Sequence, residues 1–161
     1  MQKKSKSFTV EEAKKKLEYF CAYQERSHIE VEKKIYEMRM IPEAKDLIML
    51  HLIQEGFLNE ERFAKAYARG KFYNKKWGKR KIINGLKLHK VHDNLINIAL
   101  REIQPEDYRQ SILKLIARKK RDYKEQNPYI LKQKVFQYLL QKGYAFEDFQ
   151  DLYSLAENEP F

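Results

Sequence analysis

The chain has 161 residues, room for one ordinary domain or a short array of small helical units. Its 43% apolar content is enough to bury a sizeable core, and 33 Lys+Arg against 23 Asp+Glu give a formal charge of +10. Five Gly, four Pro and a single Cys exclude collagen-like, low-complexity and disulfide-rich classes. Cys21 has no internal partner, which points to a reducing compartment. The opening MQKKSKS is basic but lacks the apolar region of a secretory signal. The longest apolar stretch, Ile48 to Ile53, is interrupted by His51 and falls far short of the about 20 residues a bilayer span needs. A soluble, cytoplasmic chain without membrane association is the expectation.

Residues 1–8 read as a disordered basic tail. Thr9 and Glu12 form a capping box that opens a helix with Val10, Ala13, Leu17 and Phe20 as its apolar stripe. Ser27 caps a second helix with Ile29, Val31 and Ile35, and Pro42 opens a third through Leu47, Leu50 and Ile53 to a stop at Gly56. The grammar then returns. Asn59 caps a helix carrying Phe63, Ala66, Tyr67 and Gly70, Trp77-Gly78 breaks the chain before Ile82, Ile83 and Leu86, and Asp93 caps a helix with Leu95, Ile98 and Ala99. A third round starts at Pro105 with Tyr108, Ile112, Leu115 and Ile116. Asn127-Pro128 then precedes a helix with Val135 and Leu139, and a last helix runs from Phe146 to Leu155 after Gly143. Val31, Ile82 and Val135 share a register at spacings of 51 and 53 residues, as do Ile35, Leu86 and Leu139, and Met40, Val91 and Tyr144. The spacing predicts an all-α chain of three tandem three-helix repeats, 9–58, 59–104 and 105–156, in an elongated, curved array with an acidic tail at 157–161.

Charge is distributed unevenly. Eleven Lys/Arg and no acid lie between Arg62 and His92, whereas five acids and no base follow from Gly143. In the first helix Glu11, Glu12 and Glu18 offset Lys14, Lys15 and Lys16. In the second unit Lys65, Arg69, Phe72 and Lys76 recur on one helical face, and Arg80, Asn84 and Lys87 repeat the spacing on the next helix, with Lys79 and Lys81 beside Arg80. In the third unit Lys114, Arg118 and Arg121 form a further stripe, with Lys119, Lys120 and Lys124 alongside. Such stripes are the ordinary wet face of an amphipathic helix, or a track for a phosphate backbone or acidic protein groove. The absence of acids between Arg62 and His92 favours the interaction surface. Of the aromatics, Phe72, Tyr73 and Trp77 stand among those bases, with Trp77 expected to pack where the first two helices of its unit meet.

Chemistry-bearing patterns are few. His89-x-x-His92 has metal-like spacing but no accompanying Cys or carboxylate, so surface histidines are expected. Cys21 lies on an apolar stripe and reads as a core thiol. There is no phosphate loop, dinucleotide fingerprint or nucleophile elbow. No catalytic residue, metal or cofactor is expected.

Several segments taken together resemble the RecX family. Ser27-x-x-Glu30-Val31-x-x-Lys34-Ile35 is similar to its first-repeat signature, and Gly56-Phe57-Leu58-Asn59-Glu60-Glu61-Arg62-Phe63-Ala64 resembles its GFLDDxRFA motif, with Asn59 at the usual first Asp. Trp77-Gly78-Lys79-Arg80-Lys81-Ile82 looks like its WGxxxI stretch, Ala99-Leu100 its repeat-closing pair, and Lys142-Gly143-Tyr144 its KGF-type turn. Met38-Arg39-Met40-Ile41-Pro42 and Leu88-His89-Lys90-Val91 depart from it by lacking the usual glycine. The resemblance implies a non-enzymatic, monomeric regulator of the RecA recombinase. Such a protein binds in the groove of the RecA–single-stranded DNA filament, beside single-stranded or duplex DNA, and hinders filament growth, ATP hydrolysis, strand exchange and coprotease activity. A stand-alone helical nucleic-acid-binding module and a helical scaffold for an acidic protein are the alternatives.

Overall fold

Helix α1, Val10–Tyr23, starts where the Thr9 side chain accepts the Glu12 N–H at 3.1 Å. The Glu12 carboxylate takes the Thr9 hydroxyl instead of reaching back to the Thr9 N–H, so this end is capped from one side only. The full reciprocal box is found at Ser27 and Glu30, opening α2, His28–Glu37. Pro42 occupies the first turn of α3, Pro42–Gln54. In the computed structural model, which describes residues 7–157, α4 (Glu60–Arg69), α5 (Lys79–Leu88), α6 (Asp93–Leu100), α7 (Pro105–Asp122), α8 (Pro128–Lys142) and α9 (Phe146–Phe149) follow. Most of the expected tail, 1–6, and the last residues, 158–161, lie outside the described residues, while Phe8 packs against the first core. Among the described residues every regular element is helical.

Two apolar clusters organise these helices. The first holds Ala13, Leu17, Val31, Ile35, Ile48 and Leu52 from α1–α3. The second runs without interruption through α4–α9, from Phe63 to Ala156, so the second and third units share one core. Cys21 is buried in the first cluster, and burial pushes its thiol up to about 11, as suits a core thiol.

Three local expectations are corrected. In α3 the core face is Ala44, Ile48 and Leu52, whereas Leu47, Leu50 and Ile53 are 59%, 51% and 44% exposed. From Leu47 to Ile53 only His51 is polar, so periodicity does not select a face there; packing against α1 does. Helix α4 does not run on regularly to Lys76 but ends at Arg69 and widens into a π-helical turn, Gly70–Asn74. That turn swings Phe72 off the Lys65–Arg69–Lys76 stripe into the core, 1% exposed, against Tyr108 with ring centroids 5.6 Å apart. The last helix is a single turn, and the chain beyond it reaches a 3-10 turn at Leu155–Glu157. The Tyr153 carbonyl there accepts Lys120 Nζ at 2.8 Å, a partner outside any helix, while Phe149 and Ala156 are drawn into the core. A smaller shift places His92 rather than Asp93 at the α6 cap, with Asp93 in its first turn.

The repeat register is visible in three dimensions. Val31, Ile82 and Val135 are all fully buried, and so are Ile35, Leu86 and Leu139. Truncating Leu86 to Ala is expected to cost about 2–5 kcal/mol in urea titration, and a loss under about 0.5 would place it outside the core. At the turn after the middle helix of each unit, Arg39, Lys90 and Gly143 take positive φ of 59°, 54° and 102°. The glycine missing from the first two turns leaves their left-handed geometry intact, at a backbone cost of roughly 1–2 kcal/mol for an ordinary residue. Lys90→Gly should therefore raise stability by about 0.5–1 kcal/mol, the relief less glycine's entropy, whereas Lys90→Ala should change it little. Equal midpoints for the glycine and alanine variants would show that the turn carries no strain.

Candidate polyanion-binding surface

The seam between the second and third units is built on two glycines. A Cβ on Gly78 would lie 2.2 Å from the Gly143 carbonyl carbon, and one on Gly143 would lie 2.4 Å from Lys81 Cβ. Backbone therefore meets backbone where α5 begins and α8 ends. The Gly78 N–H donates to the Lys142 carbonyl at 2.9 Å, and the Arg80 N–H to the Gly143 carbonyl at 3.0 Å. The Lys79 N–H donates to Tyr108 Oη at 3.0 Å. Helix α5 has no side-chain cap; the third unit supplies the acceptors instead. Tyr144 completes the joint: its hydroxyl donates to the Lys76 carbonyl at 2.7 Å and lies 3.0 Å from Ser111 Oγ. Burial pushes the Tyr144 hydroxyl up to about 12, and that of Tyr108 up as well, so both stay protonated.

This joint gathers cations from three helices. Lys142 is held below the usual lysine range by burial and by the charges of Lys81, Lys119, Lys75 and Arg118. Next to it a cleft of about 290 Å³ has Phe72, Tyr73 and Leu115 among its apolar lining, with Lys76, Lys114 and Arg118 beside Asp107 and Gln110. Aromatic rings sit under several of these cations. Lys81 Nζ lies 4.5 Å from the Trp77 ring centroid, Lys71 Nζ 4.7 Å from the same ring, and Lys119 Nζ 4.3 Å from Tyr138. The acids in reach are few: Asp122 pairs with Arg118 and Lys119 at 3.7 and 3.9 Å, and Asp107 accepts the Tyr73 hydroxyl at 2.7 Å. Because α5's first N–H groups are already bonded, an anion here would be held by side-chain cations, not by the helix terminus.

Of the residues singled out from sequence, Lys76, Lys81, Lys114 and Arg118 meet at this seam. Lys79 lies 4.7 Å over Tyr108, and Arg80 and Lys87 are exposed along α5. Arg121 is exposed near the end of α7. Lys65 and Arg69 are engaged, at 3.7 Å from Glu61 and 3.5 Å from Glu102. Trp77 packs edge-on to Tyr67, with centroids 6.5 Å apart, as expected between α4 and α5. Lys75 and Lys142 were not singled out, although Lys142 belongs to a motif that was, and Lys119 was noted only beside the third-unit stripe; helical spacing cannot bring residues 60 positions apart to one place. His89 was read as a surface histidine and is corrected. Its Nδ1 lies 2.9 Å from Ser27 Oγ and 3.7 Å from Glu30, and its ring packs on Phe63, so it ties the first unit to the second. Arg62 makes the same tie to Glu25 and to the Gly56 and Phe57 carbonyls. Among the described residues no group of His, Cys, Asp and Glu could hold a metal ion, and no helix is long and apolar enough to cross a membrane.

Comparison with known proteins decides the family. The model of the RecX second three-helix domain matches residues 59–100, and that of the third three-helix domain matches 106–152, together more than half of the chain. The chain belongs to the RecX family. The regulatory protein RecX of Bacillus mycoides (strain KBAB4) is 25% identical over 126 residues, 78% of this chain and 47% of that protein. This chain thus spans about half the length of that relative. The crystal structure of RecX from Lactobacillus salivarius superposes with a TM-score of 0.83 at 20% identity, covering 92% of this chain and 96% of that one. A second crystal structure, of a regulatory protein RecX, gives 0.76 at 23% identity, covering 93% and 74%. These likenesses establish the fold as a tandem array of three-helix units. The family's proteins carry the name of regulators rather than enzymes.

Proposed function

We propose that this protein regulates a RecA-type recombinase by binding its filament on single-stranded DNA, lying in the filament groove and slowing filament growth, ATP hydrolysis and strand exchange. The reading rests on family membership, and one observation supports its location. The seam brings Lys75, Lys76, Lys81, Lys114, Arg118, Lys119 and Lys142 to one surface with few acids to balance them. A recombinase filament groove presents DNA phosphates and acidic side chains together, and a concentrated cationic surface is attracted to both. The action needs no catalytic group: a ligand that favours one filament state shifts its growth by differential affinity alone. Lys79, Arg80, Lys87 and Arg121 extend the same charge along α5 and α7, while the paired Lys65 and Arg69 contribute less.

The deciding experiment titrates the protein into a RecA-type recombinase hydrolysing ATP on single-stranded DNA. Turnover should fall with added protein, and the effect should fade as salt shortens screened interactions to about 8–10 Å. Turnover unchanged up to micromolar excess would overturn the reading.

A further inference from the structure

Away from the seam, the first unit carries a groove of its own between α1 and α2. Its volume is about 530 Å³, and Phe8, Tyr19, Phe20 and Tyr23 line it together with Lys16, Arg26 and Lys34. Two features coincide on this edge of α1. Tyr19 and Tyr23, one turn apart on α1, are 79% and 78% exposed. Neither has a ring partner or a hydroxyl hydrogen bond among the described residues. Large aromatic area left in water on one helical edge marks a surface that something covers.

The cations are placed around these rings. Arg26 lies 3.7 Å over the Phe20 ring, anchored by its Nε–H to the Phe20 carbonyl at 2.9 Å, and Lys34 lies 5.6 Å over the same ring. Lys16 lies 4.7 Å over Phe8. None of the α1 acids is paired with Lys16: Glu11 pairs with Lys14 at 3.4 Å, Glu12 accepts the Thr9 hydroxyl, and Glu18 lies 2.6 Å from His51. At the groove itself the acids are Glu37, 3.8 Å from Lys34, and Glu30, 3.8 Å from Arg26. Lys16 has no ion pair among the described residues.

We propose that this groove is a stacking site for a short run of single-stranded nucleic acid, with bases on Tyr19 and Tyr23 and phosphates near Lys16 and Lys34. Free aromatic faces beside cations match a polymer that offers unpaired bases and phosphates in alternation. A duplex hides its base faces and an acidic peptide has none, so neither matches the two free rings. The site is independent of any recombinase and of the seam.

The test uses the full chain and a fluorescent oligothymidylate of about 20 nucleotides, read by anisotropy without recombinase. Tyr19→Ala/Tyr23→Ala should weaken binding about tenfold or more, whereas Tyr19→Phe/Tyr23→Phe, which keeps both faces, should stay within about twofold. Both residues are exposed, so the helical signal should not change. Photo-crosslinking with 5-iodouracil in the oligonucleotide should label the α1 peptide that carries Tyr19 and Tyr23. It should still do so when seam cations are reversed, which separates this site from the recombinase reading. Failure to bind the oligonucleotide, unchanged affinity in the alanine variant, or crosslinks confined to residues 71–142 would overturn the proposal. Competition by polyglutamate as strong as by unlabelled oligothymidylate would overturn it in favour of an acidic peptide.

Discussion

Replacing Gly78 by alanine will loosen the joint between the second and third units and lower stability by about 3 kcal/mol, the upper end of the usual overpacking cost. The new Cβ would stand 2.2 Å from the Gly143 carbonyl carbon and 2.3 Å from the Tyr144 nitrogen. Those atoms are backbone and cannot rotate away as a side chain can. Separating them also breaks the Gly78 and Arg80 N–H bonds to the Lys142 and Gly143 carbonyls, leaving two N–H groups at the start of α5 without acceptors. Urea unfolding followed by Trp77 fluorescence reads the event directly, since Trp77 adjoins Gly78. Gly143→Ala should cost at least as much, because it meets Lys81 and adds about 1–2 kcal/mol for its left-handed backbone. The double variant should fall short of the sum, as both changes break one contact. An effect of Gly78→Ala below about 1 kcal/mol would mean that the units are joined elsewhere.

Reversing Lys76, Lys114 and Arg118 to Glu will weaken binding to the recombinase–DNA filament on the order of 100-fold at physiological salt, through lost counterion release and new repulsion. These side chains rim the seam cleft, and all three residues are exposed. Exposed substitutions of this kind shift stability by under about 0.5 kcal/mol each, so circular dichroism and the urea midpoint should stay near those of the parent. The slope of log affinity against log salt should drop by about 2, at about 0.7 per lost contact with single-stranded nucleic acid. Lys65→Gln/Arg69→Gln serves as the comparison, since Glu61 and Glu102 already engage both cations. The triple changes the charge by six units and the pair by two, so if the pair loses as much per unit of charge as the triple, the effect is one of total charge and the seam is not the interface. An unchanged slope in the triple variant would place the contacts away from the cleft.

The chain's own residues determined its helices, its repeat and the broad position of its charge. Capping side chains at Ser27, Asn59 and Asn127 and prolines at 42, 105 and 128 act within one helical turn, and such short-range physics is legible in one dimension. The shared register of Val31, Ile82 and Val135 was equally open, because a core face repeats whenever the same three-helix packing repeats. Tertiary packing decided what periodicity leaves ambiguous. In α3 the nearly continuous apolar run Leu47–Ile53 turned Ile48 and Leu52 inward and left Leu47 and Leu50 in water, a choice made by α1. A π-helical turn, which has no pattern of its own, took Phe72 out of the basic stripe. The seam needed the fold most of all. Trp77-Gly78 and Lys142-Gly143 are recognisable as separate motifs, but only contact across more than 60 residues shows that each glycine makes room for the other's backbone. That contact collects Lys81, Lys119 and Lys142 from three helices, because charges distant along the chain become neighbours only where packing closes the gap.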